Sequence, residues 1–237
     1  MGNGVTNSRG EHIDRRPRRR GNDKEEQRTD TLEPFFDDWK YSQTKQNPVE
    51  TYLGTQGKPM TIDDNLKDVN PKFNSGDPDF RQNCVLCAYS SEFRRRGYDV
   101  EANRYDQDFQ TGYIDWHGDV HGNFTKVFGG QTWTKKGELG SRTATTAKNI
   151  EKKMGEWGDG ARAIITVVWK SGSAHAFNLE QVNGKTVAYD SQNGKKYDLN
   201  DILKITQPTS TMISRVDHLN KVNIDYVDII AKKRGRT

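Results

Sequence analysis

The Asn183-Gly184 dipeptide constrains the fold more than any other feature, because it separates two runs of alternating apolar and polar residues. Asn-Gly is a favoured two-residue turn of a β-hairpin, since both turn positions require a positive φ. Residues 174–182 and 186–190 are therefore predicted to pair as antiparallel strands. With a two-residue turn, Val182 pairs with Lys185, and this pair determines the register of the whole hairpin.

This register brings a histidine and an acid to the same face of the hairpin. Continued along both strands, it sets His175 opposite Gln192 and sets Asp190 diagonal to His175 on the same face. Diagonal neighbours are about 7–8 Å apart at their Cα atoms, a distance that a ring and a carboxylate can span. A hydrogen bond between the two would select one imidazole tautomer and leave the other ring nitrogen free to accept a proton. Gln192 is predicted to steady the ring or to bind substrate.

A helix is predicted from Cys84 to Arg96, where apolar residues recur at intervals of three and four. The run Arg94–Arg96 occupies its last turn, where cations suit the carbonyl end of the helix dipole. We interpret these arginines as a solvated helix end. Gly97 then supplies a left-handed stop to the helix.

The remaining sequence patterns predict further helices and strands, and together they indicate an α+β fold class. A second helix is predicted over residues 143–157, and the nearly all-apolar run 163–169 is typical of a central strand. The helix that starts at Cys84 is expected to pack on an antiparallel sheet built around this strand. Shorter strands are predicted at 98–102, 211–217 and 226–230.

The only two cysteines, Cys84 and Cys87, are three residues apart, which excludes a disulfide framework. No further ligands at matching spacing complete a zinc site. Unpaired backbone N–H groups and the helix dipole lower the pKa of a thiol in the first turn of a helix. Cys84 is therefore the predicted nucleophile, whereas Cys87, one turn further in, is expected to pack in the core.

The candidate residues form a set that suits nucleophilic catalysis. Cys84 is the predicted nucleophile, His175 is its general base, and Asp190 orients the imidazole. The oxyanion that forms during attack is expected to be held by the Cys84 backbone N–H and a side-chain amide. Gln82 and Asn83 are the nearest candidates for that amide. This chemistry requires neither a metal nor a cofactor.

Three separated blocks of sequence surround these residues. The first runs from Asn70 to Ala102 and contains Asn83-Cys84, the second runs from Gly160 to Asn178 and contains His175, and the third, Tyr189 to Gly194, contains Asp190. Near the end, Arg215-Val216-Asp217 matches a closing strand. Together the blocks resemble the bacterial papain-fold toxin family of polymorphic toxins and phage-encoded proteins, which is related to the deamidase domain of some dermonecrotic toxins. The resemblance covers roughly residues 68–220.

The resemblance implies a papain-like fold with a Cys-His-Asp triad made of Cys84, His175 and Asp190. It implies a toxin or effector-type cysteine amidohydrolase that deamidates a glutamine side chain of a target protein through a thioester acyl-enzyme. A cysteine protease or a transglutaminase uses the same triad and stays open as an alternative. A non-enzymatic alternative is a virion-associated or interaction protein that retains the fold.

Positive charge is concentrated near both termini. Five arginines between Arg15 and Arg20 and four basic residues between Lys232 and Arg236 belong to a total of 37 Lys and Arg, against 33 Asp and Glu. The rest of the chain is mildly acidic, so nucleic-acid binding is confined to the tails. The predicted division is a disordered basic tail (1–30), a linker with an aromatic segment (31–65), a papain-like catalytic domain (66–231) and a basic C-terminal tail (232–237).

Neither a membrane-spanning run nor a signal peptide is predicted, because no stretch is long and apolar enough. We therefore expect a specialised secretion route or delivery with a virion, and action in the cytoplasm of a target cell. The opening residues fit a loose N-myristoylation pattern at Gly2, which we interpret as a chance match. His117 and His121 are interpreted as exposed loop residues, because no third metal ligand lies near them. Expected partners are a glutamine-bearing target protein and an immunity protein.

Overall fold

The computed structural model describes residues 48–105 and 127–235. Six α-helices occur in these ranges: α1 (Pro48–Leu53), α2 (Ile62–Asp68), α3 (Cys84–Arg95), α4 (Thr143–Trp157), α5 (Leu199–Lys204) and α6 (Val227–Ile230). Seven strands accompany them: β1 (Val100–Ala102), β2 (Arg162–Val168), β3 (Ala174–Val182), β4 (Lys185–Asp190), β5 (Lys195–Tyr197), β6 (Met212–Arg215) and β7 (Ala231–Lys233). Short 3₁₀ turns form at Pro78–Arg81, Pro208–Ser210 and Ile224–Tyr226.

Five antiparallel strands form the main sheet, in the order β5-β4-β3-β2-β6. A separate two-stranded antiparallel sheet joins β1 to β7. Helices cover both faces of the main sheet: α3 packs against β3, and α4 contacts β3 and β4 on the other side. The α+β fold class with a helix packed on an antiparallel sheet is therefore confirmed.

Successive side chains of β2 pack alternately into two hydrophobic cores, one on each face of the sheet. Ile164 packs in the core beneath α3, whereas Ala163, Ile165 and Val167 pack in the core beneath α4. Successive side chains of a strand point to opposite faces, so a strand covered on both sides must be apolar throughout. This double burial explains the nearly continuous apolar run in the sequence.

The hairpin at Asn183-Gly184 forms as predicted. Both turn residues have positive φ, 50° and 74°. Val182 pairs with Lys185, and the ladder continues in the predicted register as far as Asn178 and Tyr189. The local turn chemistry was therefore sufficient to predict the pairing.

The ladder ends before it reaches His175, which corrects one predicted pair. Residues 191–194 turn the chain into β5, and Asp190 there pairs with Lys195. Gln192 consequently lies in a turn and not opposite His175 in the sheet. His175 and Asp190 nevertheless stay in the two hairpin strands, and their side chains are in contact.

The arginines that end α3 form buried ion pairs, so their interpretation as a solvated helix end was wrong. Arg94 is 1% exposed, and its guanidinium lies 3.2 Å from Asp68 and 2.7 Å from Asp99. It also donates to the side chain of Asn65 at 3.1 Å and to the Val100 carbonyl at 3.0 Å. A charge this deeply buried requires such partners.

Two glutamates bind the neighbouring arginines and tie the helix end to the sheet. Arg95 forms a two-bond ion pair with Glu180 of β3. Glu92 lies between Arg96 and Arg162, with 2.8 Å from a carboxylate oxygen to each Nε atom. Because Arg162 begins β2, the C-terminal end of α3 is bonded to both central strands.

Gly97 ends α3 as predicted, with a φ of 100°. Its carbonyl accepts a hydrogen bond from the Gly57 N–H at 2.8 Å, and the backbone at Gly57 leaves no room for a Cβ. Gln56 donates to the Arg96 carbonyl at 2.7 Å. Residues before the predicted domain start at 66 thus contact the helix end, although the domain boundaries themselves stay a prediction.

The strand predicted at 226–230 is wrong. Asn223 accepts a hydrogen bond from the Asp225 N–H, which starts a 3₁₀ turn that continues into α6. The strand β7 follows and pairs with β1, so that Ala231 lies opposite Ala102. β7 therefore reaches Lys233, within the residues assigned to a C-terminal tail.

No helix within the described ranges combines the length and the apolar character needed to cross a bilayer. The predictions made for the tail 1–30, for Gly2 and for His117 and His121 lie outside the described residues.

Replacing Arg94 should destabilise the protein more than replacing a surface arginine. Arg94→Ala removes a buried charge and leaves its partners unpaired, so we expect a loss of about 3 kcal/mol in the free energy of unfolding. Arg104→Ala is the control, because Arg104 pairs with Asp79 with 63% of its side chain exposed, and should cost less than about 1 kcal/mol. Urea unfolding measures both, and equal losses would contradict a special role for the buried pair.

Candidate active site

Cys84 is the first residue of α3 and lines a cleft of about 540 Å³. Asn83 precedes it, and its side chain makes no capping hydrogen bond to the helix. The backbone N–H groups of the first turn, which have no partner within the helix, lie next to this residue. The predicted placement of Cys84 at a helix N-terminus is confirmed.

His175, near the start of β3, lies between Cys84 and Asp190. Its Nε2 atom is 2.8 Å from Asp190 Oδ2. Its ring also interacts with the Cys84 side chain, which lines the same cleft. Because Asp190 occupies Nε2, Nδ1 is the ring nitrogen left for the sulfur. The structure thus brings the three predicted residues together in series.

The Asp190 carboxylate is 1% exposed and is surrounded by hydrogen-bond donors. Besides His175, Oδ2 accepts from Asn193 Nδ2 at 2.7 Å and from the Tyr197 hydroxyl at 3.0 Å. Oδ1 accepts from the Gln192 backbone N–H at 2.9 Å. These bonds hold the carboxylate in one orientation, which in turn holds the imidazole.

The pKa of His175 is raised to about 10. Burial opposes the charged ring, but the hydrogen bonds to Asp190 and Cys84 and the negative charge of both groups outweigh it. The ring therefore carries two protons at neutral pH. The protonated ring can donate from Nε2 to Asp190 and presents Nδ1 towards Cys84.

Cys87 is fully buried, as predicted for a core residue. Its sulfur lies 3.3 Å from Asn83 Oδ1. Burial raises the pKa of the Cys87 thiol well above its usual value, and the charges of Asp190 and Cys84 add to this effect. Cys87 therefore remains a protonated thiol.

Hydrogen bonds from the turn at 191–194 link α3 to the end of β4 that carries Asp190. Ser191 and Ser91 are joined by a hydrogen bond of 3.1 Å between their hydroxyls. Gln192 Nε2 donates to Asn83 Oδ1 at 3.3 Å. Asn70 donates to the Gln192 carbonyl at 2.9 Å. The turn that interrupts the hairpin ladder thus orients the nucleophile's helix relative to the carboxylate.

Gln82, Asn83 and Gln192 are the candidates for oxyanion or substrate binding. They differ in whether their side-chain amides already donate to other residues. Asn83 Nδ2 donates to the Asn103 carbonyl at 2.8 Å, so this amide is already used. Gln192 lines the cleft, but its amide is directed to Asn83. Gln82 is exposed and lines the cleft, and its side chain makes no hydrogen bond to the described residues. Gln82 is therefore the side chain best able to donate to a substrate.

Sequence reasoning missed three residues that support the histidine and the acid. Trp169 stacks on His175 with 5.3 Å between ring centroids and 25° between planes. Asn193 and Tyr197 bind Asp190. A signal existed for Trp169, because it ends the apolar strand across the β2–β3 connection. Tyr197 was hidden by the length of the turn before β5.

The cleft combines the reactive pair with mostly neutral polar and aromatic groups. No cluster of three His, Cys, Asp or Glu side chains suited to a metal ion occurs among residues 48–105 and 127–235. The cleft lining comprises Arg81, Gln82, Cys84, Tyr105, Trp169, Ser173, Ala174, His175, Gln192, Asn193 and Tyr197.

Alkylation should distinguish the two thiols. Iodoacetamide is expected to modify Cys84 in the native protein, because this residue lines the cleft beside His175, and to leave the fully buried Cys87 unmodified. Peptide mass mapping locates the label, and urea-unfolded protein, in which both thiols react, is the control. Faster labelling of Cys87 than of Cys84 in the native state would reverse the two assignments.

The raised pKa of His175 predicts a pH-dependent contribution to stability. In the unfolded chain a histidine has a pKa of about 6.5, so the stabilisation is complete below that pH and is lost as the pH rises towards 10. The difference in unfolding free energy between wild type and His175→Gln should shrink over this interval. Urea unfolding at a series of pH values measures it, with His218→Gln as a control at an exposed histidine. A difference that grows with pH would contradict the ion pair.

The comparison with known protein families agrees with this arrangement. Residues 82–195 match the family model described as papain fold toxin 1, glutamine deamidase. Searches of curated proteins and of solved structures gave no significant match. The matched span begins just before Cys84 and includes His175 and Asp190. Over these residues, the chain is similar to the papain fold toxin 1 family.

Proposed function

We propose that this chain deamidates a glutamine side chain of a target protein as a papain-like cysteine amidohydrolase. One observation supports this most: Cys84 and His175 line one cleft and interact there, and His175 is hydrogen-bonded to Asp190. All three lie within the span that matches a glutamine deamidase family. A thiol, an imidazole and a carboxylate in series are the groups that acyl transfer requires.

In the first half of the reaction the Cys84 thiolate attacks the carboxamide carbon and forms a C–S bond. His175 donates the Nδ1 proton to the nitrogen of the tetrahedral intermediate. The C–N bond then breaks, and ammonia leaves. The product of this step is a thioester between Cys84 and the former glutamine side chain.

In the second half water replaces ammonia. The neutral His175 takes a proton from a water molecule, whose oxygen attacks the thioester carbon. The C–S bond breaks, the target side chain leaves as glutamate, and Cys84 returns to the thiolate. Asp190 keeps the ring oriented and stabilises the imidazolium that forms again.

Both half-reactions place a negative charge on the carboxamide oxygen. The Cys84 backbone N–H, at the first turn of α3, is suited to bind it, and the Gln82 amide supplies a second donor. Gln82 fits this role because its side chain is exposed at the cleft and has no hydrogen bond to the described residues. Asn83 is less suitable, since its amide N–H group is bound to the Asn103 carbonyl.

The same acyl-enzyme would serve a protease, which cleaves a backbone amide, or a transglutaminase, in which an amine replaces water. The family match favours deamidation over both. Intact-mass analysis of candidate target proteins separates the three outcomes, together with an assay for released ammonia. Deamidation releases ammonia and leaves the target chain whole, and proteolysis divides the chain. Transamidation also releases ammonia, but the target gains the mass of the amine less that of ammonia.

The proposed toxin function also implies partners and a delivery route. A glutamine-bearing target protein is the required partner, and an immunity protein remains a prediction. Delivery into a target cell by a specialised route, or with a virion, likewise remains a prediction. The domain boundaries predicted at residues 30, 65 and 231 likewise remain predictions.

Asp190→Asn should reduce kcat by roughly 10²–10⁴-fold while the fold persists, because asparagine cannot stabilise the imidazolium and can favour the wrong tautomer. Ammonia release from a glutamine-containing target measures the rate. Asp201→Asn is the matched control, since Asp201 is exposed and pairs with Lys204 at the surface. A rate for Asp190→Asn within about threefold of wild type would remove Asp190 from the catalytic set, as this is under about 1 kcal/mol.

A further inference from the structure

Arg81 is a cation held at the edge of the cleft. It ends the 3₁₀ turn Pro78–Arg81, three residues before Cys84, and it lines the cleft. Its Nε donates to the Phe73 carbonyl at 3.3 Å. The guanidinium carbon lies 5.6 Å from the centroid of the Phe73 ring. Phe73 thus restricts the side chain while the two terminal nitrogens keep their donors.

The absence of a carboxylate partner sets Arg81 apart from most arginines of the described ranges. Arg81 forms no ion pair with any residue in 48–105 or 127–235. An arginine without an anionic partner can bind a carboxylate from another molecule, because the planar guanidinium donates two parallel hydrogen bonds to the carboxylate oxygens. The arginines that do pair with a carboxylate are Arg94, Arg95, Arg96, Arg104, Arg162, Arg215 and Arg234.

Apart from Arg81 and His175, no described residue that lines the cleft has a cationic side chain. Within residues 48–105 and 127–235, the rest of the lining apart from Cys84 and His175 consists of neutral side chains such as Gln82, Tyr105 and Trp169. A volume of about 540 Å³ exceeds what one glutamine side chain fills, so residues next to the glutamine also enter. A charge on one of these neighbours would therefore meet Arg81 first.

We propose that Arg81 selects target glutamines that have an aspartate or glutamate close by in the same chain. The target carboxylate binds the free terminal nitrogens of Arg81 while the carboxamide lies against Cys84. This inference rests on the proposed deamidation and narrows its substrate class to glutamines in acidic segments. Arg81 acts as a specificity-determining residue and takes no part in the bond changes.

A peptide library tests this selectivity. Short synthetic peptides with a single central glutamine and randomised flanking positions are incubated with the full-length chain, and deamidated members are sequenced by mass spectrometry. We expect Asp and Glu to be enriched about fivefold at one or two flanking positions, the scale of a partly exposed ion pair. In Arg81→Ala this enrichment should disappear, and in Arg81→Glu it should be replaced by enrichment of Lys and Arg. The measured quantity is a ratio, so a general loss of activity does not change it.

Arg142→Ala is the matched control, because Arg142 is also exposed and forms no ion pair with the described residues, but lies outside the cleft. It should keep the acidic preference of the wild type. Deamidation by the wild type without acidic enrichment, or enrichment that persists in Arg81→Glu, would overturn the role of Arg81 and leave the deamidase intact. If no library member is deamidated although iodoacetamide labels Cys84, the proposed function fails and this inference fails with it.

Discussion

The burial of α3 is the constraint on which the rest of the site depends. All residues from Cys84 to Arg94 are buried, so the polar groups at both ends of the helix must find partners inside the protein. At the C-terminal end these partners are carboxylates, including Glu180 on the sheet. At the N-terminal end Asn83 accepts hydrogen bonds from Cys87 and Gln192. A shift of the helix along its axis would break bonds at both ends together, so the position of the sulfur relative to His175 is closely determined.

The chemistry follows from a balance between burial and charge. Burial alone would make His175 neutral, and the carboxylate beneath it reverses that preference. The same burial keeps Cys87 protonated, although it lies on the same helix one turn from Cys84. Two thiols of identical chemistry thus acquire different roles from position alone, one at the helix end beside an imidazolium and one inside the core.

Sequence-based prediction succeeded where the determinants are local. The Asn183-Gly184 turn was enough for the hairpin register, and hence for the shared face of His175 and Asp190. The start of α3 at Cys84 also followed from a local pattern. These two results give the shared face of His175 and Asp190 and the helix end of Cys84. The packing of α3 on β3 then brings the three residues together.

Prediction failed where the partners of a side chain come from distant segments. The carboxylates around Arg94 lie before and after α3 in the sequence, so the charged run alone resembled a solvated helix end. The donor from Tyr197 to Asp190 depends on the length of the turn that follows β4, which propensity does not specify. Residues 226–230 show the third case, since a side-chain cap at Asn223 turned an apolar run into a helix.

The pairing of β1 with β7 has a consequence for biosynthesis. β1 follows α3 directly, yet its partner strand is the last described element of the chain, and Arg234 beyond it bonds to Asp68 and Asp99. A ribosome that is still translating has already exposed the nucleophile, but the histidine, the acid and the strand that anchors the helix are made later. The cell that synthesises this protein therefore meets a fully anchored cleft only after β7 has been made, well after the nucleophile.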